Sequence, residues 1–349
     1  MLFTLAFIFF NRIIKQQQLK AAHSAEAIIL DELNEHILMY DSSEDIPESE
    51  LNTTVKNLEG IRNENPVFRQ VMIRLFIYFK HNLTGNISSL ITATYFRLRL
   101  NELTINKLKS RFWFTKAQGL KELQDINYND AEHYIIPLLN SGNLDVRVEA
   151  YAALIKLQTP QSFAFLEEEQ EALSSWHQIV LFDAVTKTEH REVPEFGSFL
   201  KVNNKSIIQL SIKLLLYYKQ FDAIPELMRL LDNSDETIRN QAICALGELD
   251  AEDAEQKLIS IYPTEHNKNK SQILLAIGGI ASGKALSFLS DKFLKADHYT
   301  ILKSAAAAIM SHPVAIRDRI LESLNNLDEE QKAMIKHFED PLIKLHGIH

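Results

Sequence analysis

The sequence predicts an all-α chain, an α-solenoid of two-helix repeats that begins with an N-terminal hydrophobic helix. Three observations carry this reading. Apolar residues make up 46% of the 349 positions while Gly (10) and Pro (9) are scarce, which favours long helices with short connections over a many-turned β-sandwich. Over much of the second half, apolar residues recur at helical spacing and the pattern returns every 31 residues. The first ten residues, MLFTLAFIFF, are almost unbroken apolar sequence.

That opening run is too short for an ordinary spanning helix, which needs about 17 to 25 apolar residues. Asn11 and Arg12 interrupt it. No basic residue precedes the run, and Ala25 to Ala27 lies too far beyond it for a signal-peptidase site. Phenylalanines at a free chain end are an aggregation liability when exposed, so residues 1–40 are expected to be a membrane anchor followed by a helix. A core helix of a soluble protein is the alternative. Arg12, Lys15 and Lys20 follow the run, which places the remainder on the cytoplasmic side. The single cysteine, Cys244, agrees with a reducing compartment.

Residues 41–53, which open with DSSEDIPESE, read as an acidic linker around Pro47. Residues 54–128 read as a basic, aromatic-rich helical neck. Positions 66 to 121 hold ten basic residues against the single acid Glu102, a local +9, so the overall charge of −9 leaves −18 elsewhere. Such polarity points to an anionic partner for this segment. Arg97, Arg99, Lys107, Lys109 and Arg111 are its candidate contacts, with an anionic lipid surface or a membrane protein as the expected partner and nucleic acid as the weaker one. The plainer reading makes the aromatics core and the basic residues a solvated face.

The repeats are expected over 129–312. DVRVEAYAALIKL (145–157), SIIQLSIKLLLYY (206–218), TIRNQAICALGEL (237–249), KNKSQILLAIGGI (268–280) and YTILKSAAAAIMS (299–311) fall in register at steps of 61, 31, 31 and 31, with WHQIVLFDAV near Trp176 filling the first gap as core. Ala150, Ser211, Ala242, Ile273 and Ser304 then share one inward position, and Leu154, Leu215, Leu246, Ile277 and Ala308 another. A two-helix unit of this size cannot bury both faces alone, so stacked units share a core. Residues 313–349 read as polar capping helices.

Through AIPELMRLLDNSDETIRNQAICALGEL (223–249), and more loosely YIIPLLNSGNLDVRVEAYAALIKL (134–157), the chain resembles the HEAT family, particularly the short bacterial variety also called phycobilin-lyase-type repeats. The resemblance spans about residues 130 to 311 and implies a scaffold or adaptor, occasionally a lyase. Bacterial membrane-anchored HEAT proteins that it looks like imply a tethered protein partner such as a glycosyltransferase of surface-polysaccharide synthesis. The expected function is therefore a non-enzymatic membrane-associated scaffold or regulator without a cofactor. The alternatives are a soluble enzyme of the phycobilin-lyase type and a nucleic-acid-binding HEAT-like protein.

A helical wheel that turns Ile238, Ala242, Ala245 and Leu249 to the core leaves a ridge on the opposite side. Its candidates for partner binding are Val148, Ala152 and Ile155, then Gln209, Lys213 and Leu216, then Asn240 and Cys244, then Ser271 and Leu275. The ridge is a groove for a partner helix or strand, or it is closed by tight curvature; the pattern does not decide between them.

Motifs for chemistry are scarce. GGIASGKA (278–285) stops one residue short of a phosphate loop, but it follows a helix where that loop must follow a strand, and Ala285 lacks the hydroxyl that holds magnesium. No H-E-x-x-H or G-x-S-x-G is present. His346 and His349 at the carboxyl end make only two ligands for a metal. Asp235 and Arg239 stand four apart, the spacing of a helix-stabilising pair.

Overall fold

The structure is a computed structural model and describes residues 2–40, 46–160, 162–189, 192–324 and 327–340; of residues 2–8, 10 and 11 it describes the backbone. Every regular element among the described residues is helical. Contacts divide the chain into two compact units, Met1–Phe163 and Ala164–His349, so the division falls inside the stretch 129–312 that periodicity reads as one array.

In the first unit, α1 (Leu2–Leu33) continues into a π turn at Asn34–Leu38. Ala25, Ile29, Leu33 and Ile37 recur every four residues, are fully buried, and share a core with Leu58, Met72, Phe76 and Tyr95. The second half of α1 is thus a packing helix. No helix among the described residues is long and apolar enough to cross a membrane, so a spanning anchor finds no support. The expected linker lies partly outside the described residues (41–45), and its end is already helical, because α2 (Glu48–Glu64) starts directly after Pro47. Helix α3 (Pro66–Asn82) begins with proline at its first position, and the Asn65 side chain accepts from the Val67 N–H at 2.7 Å, the two devices that suit a helix start. Helices α4 (Gly85–Arg97), α5 (Leu100–Leu108), α6 (Trp113–Ile126), α7 (Glu132–Ile135) and α8 (Leu144–Lys156) follow, with α5 packed on α6 and α6 on α8.

The second unit contains α9 (Phe165–Glu168), α10 (Ser175–Thr186), α11 (Lys205–Tyr217), α12 (Ile224–Leu230), α13 (Glu236–Glu248), α14 (Glu255–Ile261), α15 (Asn267–Ile280), α16 (Leu286–Leu294), α17 (Tyr299–Met310), α18 (Val314–Ser323) and α19 (Glu329–Glu339). Here α11, α13, α15, α17 and α19 pack each on the next, and shorter helices or 3₁₀ turns precede them. The residues expected to point inward do so: Ser211, Ala242, Ile273, Leu215, Leu246 and Ile277 are each fully buried.

Local chemistry repeats with the same period. The second helices start at Ser174, Asn204, Asp235, His266, His298 and Asp328, and all but His266 accept a hydrogen bond from the first turn through their side chains. The interval between His298 and Asp328 makes α19 a further second helix, where the sequence had indicated only a cap. At the other end, Lys219, Asp250 and Ala281 stand 31 apart with φ of 51°, 50° and 47°. After the first two, the next N–H reaches back to the helix: Gln220 to the Leu215 carbonyl and Ala251 to the Leu246 carbonyl, the bond that closes a Schellman motif. The first unit carries the same signature at Asn127 and Gln158, both with φ of 53°, followed by Tyr128 to Leu123 and Thr159 to Leu154. The repeat signature therefore reaches back to α6, one helix before residue 129.

Small residues bring the second helices close. A Cβ on Gly247 would stand 2.7 Å from the Ala276 Cα, and one on Gly278 would stand 2.5 Å from the Ala308 Cα. Gly278 is thus a helix-contact residue. The turn beyond it holds Gly283 at φ +81°, and Lys284 is held 2.7 Å from Glu252. No strand precedes this turn, which leaves no phosphate loop.

Candidate partner-binding face

Counting from each capping residue, positions five and nine of the second helices lie on the side away from the shared core. In the second unit these are Gln209 and Lys213, Asn240 and Cys244, and Ser271 and Leu275, half-buried except for the exposed Lys213 and Leu275. Leu216 is half-buried at position twelve, the column that Gly247 and Gly278 fill where helices meet. The corresponding residues of α8 differ. Val148, Ala152 and Ile155 are buried, so they offer no open ridge.

Much of the polarity on this face is turned inward on itself. The Lys213 ammonium donates to Gln178 at 3.0 Å, and the Gln178 amide donates to Gln209 at 3.3 Å. The Asn240 amide donates to Asn269 at 2.9 Å, and Asn269 donates to Glu265 at 2.7 Å. Arg239 grips the same carboxylate through Nε and Nη2 at 2.5 and 3.0 Å, so it serves Glu265 and not the expected Asp235. Asp235 instead caps α13 and pairs with Lys205 at 2.6 Å. This Arg239 contact holds the Glu265 carboxyl below its ordinary range.

Beside the exposed Lys213, the face presents large apolar groups to solvent. Trp176 is 67% exposed, Ile179 56% and Tyr217 55%, while Phe182 sets its edge against the Tyr217 ring at 5.7 Å. Trp176 and Ile179 occupy positions two and five of α10, on the same side as Gln209 and Lys213 of α11. Trp176 is thus not the core residue expected for this stretch. The hydrophobicity of the WHQIVLFDAV stretch spreads around the whole helix and so gives no direction to follow.

Reactive chemistry is poorly served here. Burial, aided by Glu248, pushes the Cys244 thiol up to about 11, so at neutral pH it is the weakly nucleophilic thiol form. No group of three or more His, Cys, Asp or Glu capable of holding a metal occurs among the described residues. His346 and His349 lie outside them. A shallow open depression lined by Asn129, Asp130, Glu132, His133 and Ile136 in the first unit brings no nucleophile to its acids.

The expected anionic-surface residues fall into two groups. Lys107 is withdrawn: its ammonium lies 2.6 and 2.7 Å from the two oxygens of buried Glu122 and also donates to Gln70, so it is not a surface cation. Arg99 is tied to Glu102 at 2.6 Å, and Arg97 reaches Asn52 at 3.5 Å. Lys109 and Arg111 are exposed, and Arg111 lies over the Phe112 ring at 4.6 Å. Beside them Phe112, Trp113 and Phe114 are 47%, 49% and 56% exposed. Three successive aromatics cannot all face one core, since neighbouring helical residues point about 100° apart. That is the signal the sequence offered.

No family model and no curated protein matches the chain. Among solved structures it is similar to an engineered protein, at 13% identity and a TM-score of 0.38 over 93% of this chain and 99% of that one. Human deoxyhypusine hydroxylase in complex with glycerol gives 14% and 0.32, over 86% and 99%. The complex of CpcE and CpcF of phycocyanin lyase from Nostoc gives 12% and 0.26, over 82% and 93%. Identities and scores this low tie the chain to none of those activities.

Proposed function

We propose that this chain is a non-enzymatic scaffold or regulator that binds a protein partner through the exposed side of its second helices and does so at the cytoplasmic face of a membrane. The observation that carries the proposal is the exposed apolar patch of Trp176, Ile179 and Tyr217 on α10 and α11, with Leu275 exposed on α15, beside Lys213, Gln209 and Asn240, whose side chains are hydrogen-bonded within the fold. Stable helices with an exposed aromatic stripe suit an amphipathic helix or an extended segment of a partner. A glycosyltransferase of the membrane, which the HEAT resemblance implies, is one partner of that kind. The lyase alternative is less well supported, because burial holds the thiol of Cys244, its nucleophile candidate on this face, in the neutral form.

The test is crosslinking in native membranes and affinity purification of the full chain beside a Trp176→Ala, Leu275→Asp variant. A specific protein recovered with the wild type should fall by about tenfold or more in the variant, as expected when an interface loses an aromatic anchor. Trp176 is 67% exposed but Leu275 only 36%, so a thermal melt of the variant checks that its fold is kept. Equal recovery by both chains would refute the assignment of this face.

A further inference from the structure

We propose that the junction of α5 and α6, where Phe112 caps α6 and Trp113 and Phe114 open it, is a wedge that inserts into an anionic phospholipid surface. This deepens the membrane-associated part of the reading above and rests on it; it does not depend on the partner-binding stripe. A contiguous cluster of three half-exposed aromatics is apolar surface of the kind that marks an interaction site.

The surroundings select the ligand. Lys109 and Arg111 precede the aromatics and Lys116 follows them. None of these three forms an ion pair with a described carboxylate. Between residues 103 and 121 the chain holds no acid at all. Exposed apolar rings flanked in sequence by cations that no described carboxylate neutralises suit a bilayer surface, whose acyl chains lie beneath anionic headgroups.

Two other occupants fit less well. Single-stranded nucleic acid stacks its bases on free ring faces. Here Phe112 and Phe114 stack on each other at 5.4 Å and 24°, Trp113 sets its edge to Phe114 at 6.2 Å and 83°, and the Arg111 guanidinium covers Phe112. The rings form one compact apolar body with few faces left to take bases. A second copy of the chain, docked about a two-fold axis on this patch, would set Lys109, Arg111 and Lys116 against the same cations.

The experiment uses the full chain with Trp176→Phe, which leaves Trp113 as its one tryptophan. Vesicles of phosphatidylcholine, with and without about 30% phosphatidylserine, are added, some carrying brominated acyl chains. The expected result is a blue shift of Trp113 emission and quenching by brominated lipid with the anionic vesicles only, weakened at about 0.5 M salt. Lys109→Gln, Arg111→Gln and Lys116→Gln together should reduce vesicle binding by about tenfold or more. Phe112→Ser with Phe114→Ser should abolish the quenching; a thermal melt checks that variant's fold, and the charge variant stands as an independent test.

Three outcomes overturn the proposal. If the chain floats with vesicles while Trp113 emission is unmoved, membrane association survives and the wedge fails. If the wild type does not float at all, both fail. A shift that appears without lipid, either on raising protein concentration or on adding a single-stranded oligonucleotide, assigns the rings to a second copy or to nucleic acid instead.

Discussion

Gly278 stands where a methyl group has no room. Its ideal Cβ would lie 2.5 Å from the Ala308 Cα and 2.9 Å from the Ser311 Oγ, and the Ser311 hydroxyl donates to the Gly278 carbonyl at 2.7 Å. A backbone atom cannot swing aside, so α15 and α17 must separate to admit alanine. Gly278→Ala is expected to cost about 1–3 kcal/mol by overpacking, read from the urea midpoint of the full chain. Lys219 offers the opposite sign. With φ at 51° it adopts a conformation disfavoured for any residue with a Cβ, and Lys219→Gly removes that cost. A gain of about 0.5–1 kcal/mol in the same titration is expected, with the Gln220 to Leu215 bond retained. In the 31-residue register Gly278 stands where Gly247 stands in the preceding repeat. Nothing in that register hints that both glycines are contacts, because the residues opposite, Ala276 and Ala308, lie about 30 residues away and their approach is a tertiary fact. The left-handed positions were hidden for a different reason: lysine, aspartate and alanine occupy sites where glycine would have advertised them.

Several second helices are tied to a neighbour by polar side chains near their starts, Lys205 to Asp235 between α11 and α13 and Arg239 to Glu265 between α13 and the start of α15. Arg239 meets Glu265 through two nitrogens, and Glu265 also accepts from Asn269. Arg239 holds the folded carboxyl below its ordinary value of 4.5, so the unfolded chain binds the proton first as pH falls. The stabilisation is thus complete above about pH 5 and is lost progressively as pH drops through the folded value. Glu265→Gln should cost about 3 kcal/mol at pH 7, since it leaves Arg239 without its counter-charge, and should flatten this part of the acid limb. Urea midpoints measured between neutral and acid pH check both effects; a variant whose acid limb runs parallel to that of the wild type would refute the assignment. At this scale the sequence was a good guide to the second helices, whose apolar faces have a clear period. It was a poor guide to their polar sides. The four-residue spacing pointed Arg239 at Asp235, whereas the fold supplies a better-placed carboxylate from the end of the next repeat's first helix.

For the whole molecule, the consequence of a repeat architecture is that stability is a sum of neighbouring interfaces within each unit. The charge polarity along the chain was legible, and so was the all-helical class. The amino-terminal helix was legible only in part: Ala25, Ile29, Leu33 and Ile37 fill a core with Met72 and Phe76, and no helix among the described residues is long and apolar enough to cross a membrane. That core belongs to the first unit, while the Gly278 contact belongs to the second. Damage at Gly278 should therefore spread to adjacent helices before it spreads further. In native-state hydrogen exchange, Gly278→Ala is expected to speed exchange of the amides of α15 and α17 by about tenfold, the equivalent of 1.4 kcal/mol, while those of α2 and α3 exchange as in the wild type. Uniform acceleration across both units would mean that the chain unfolds as one cooperative body, and the nearest-neighbour description would then be wrong for it.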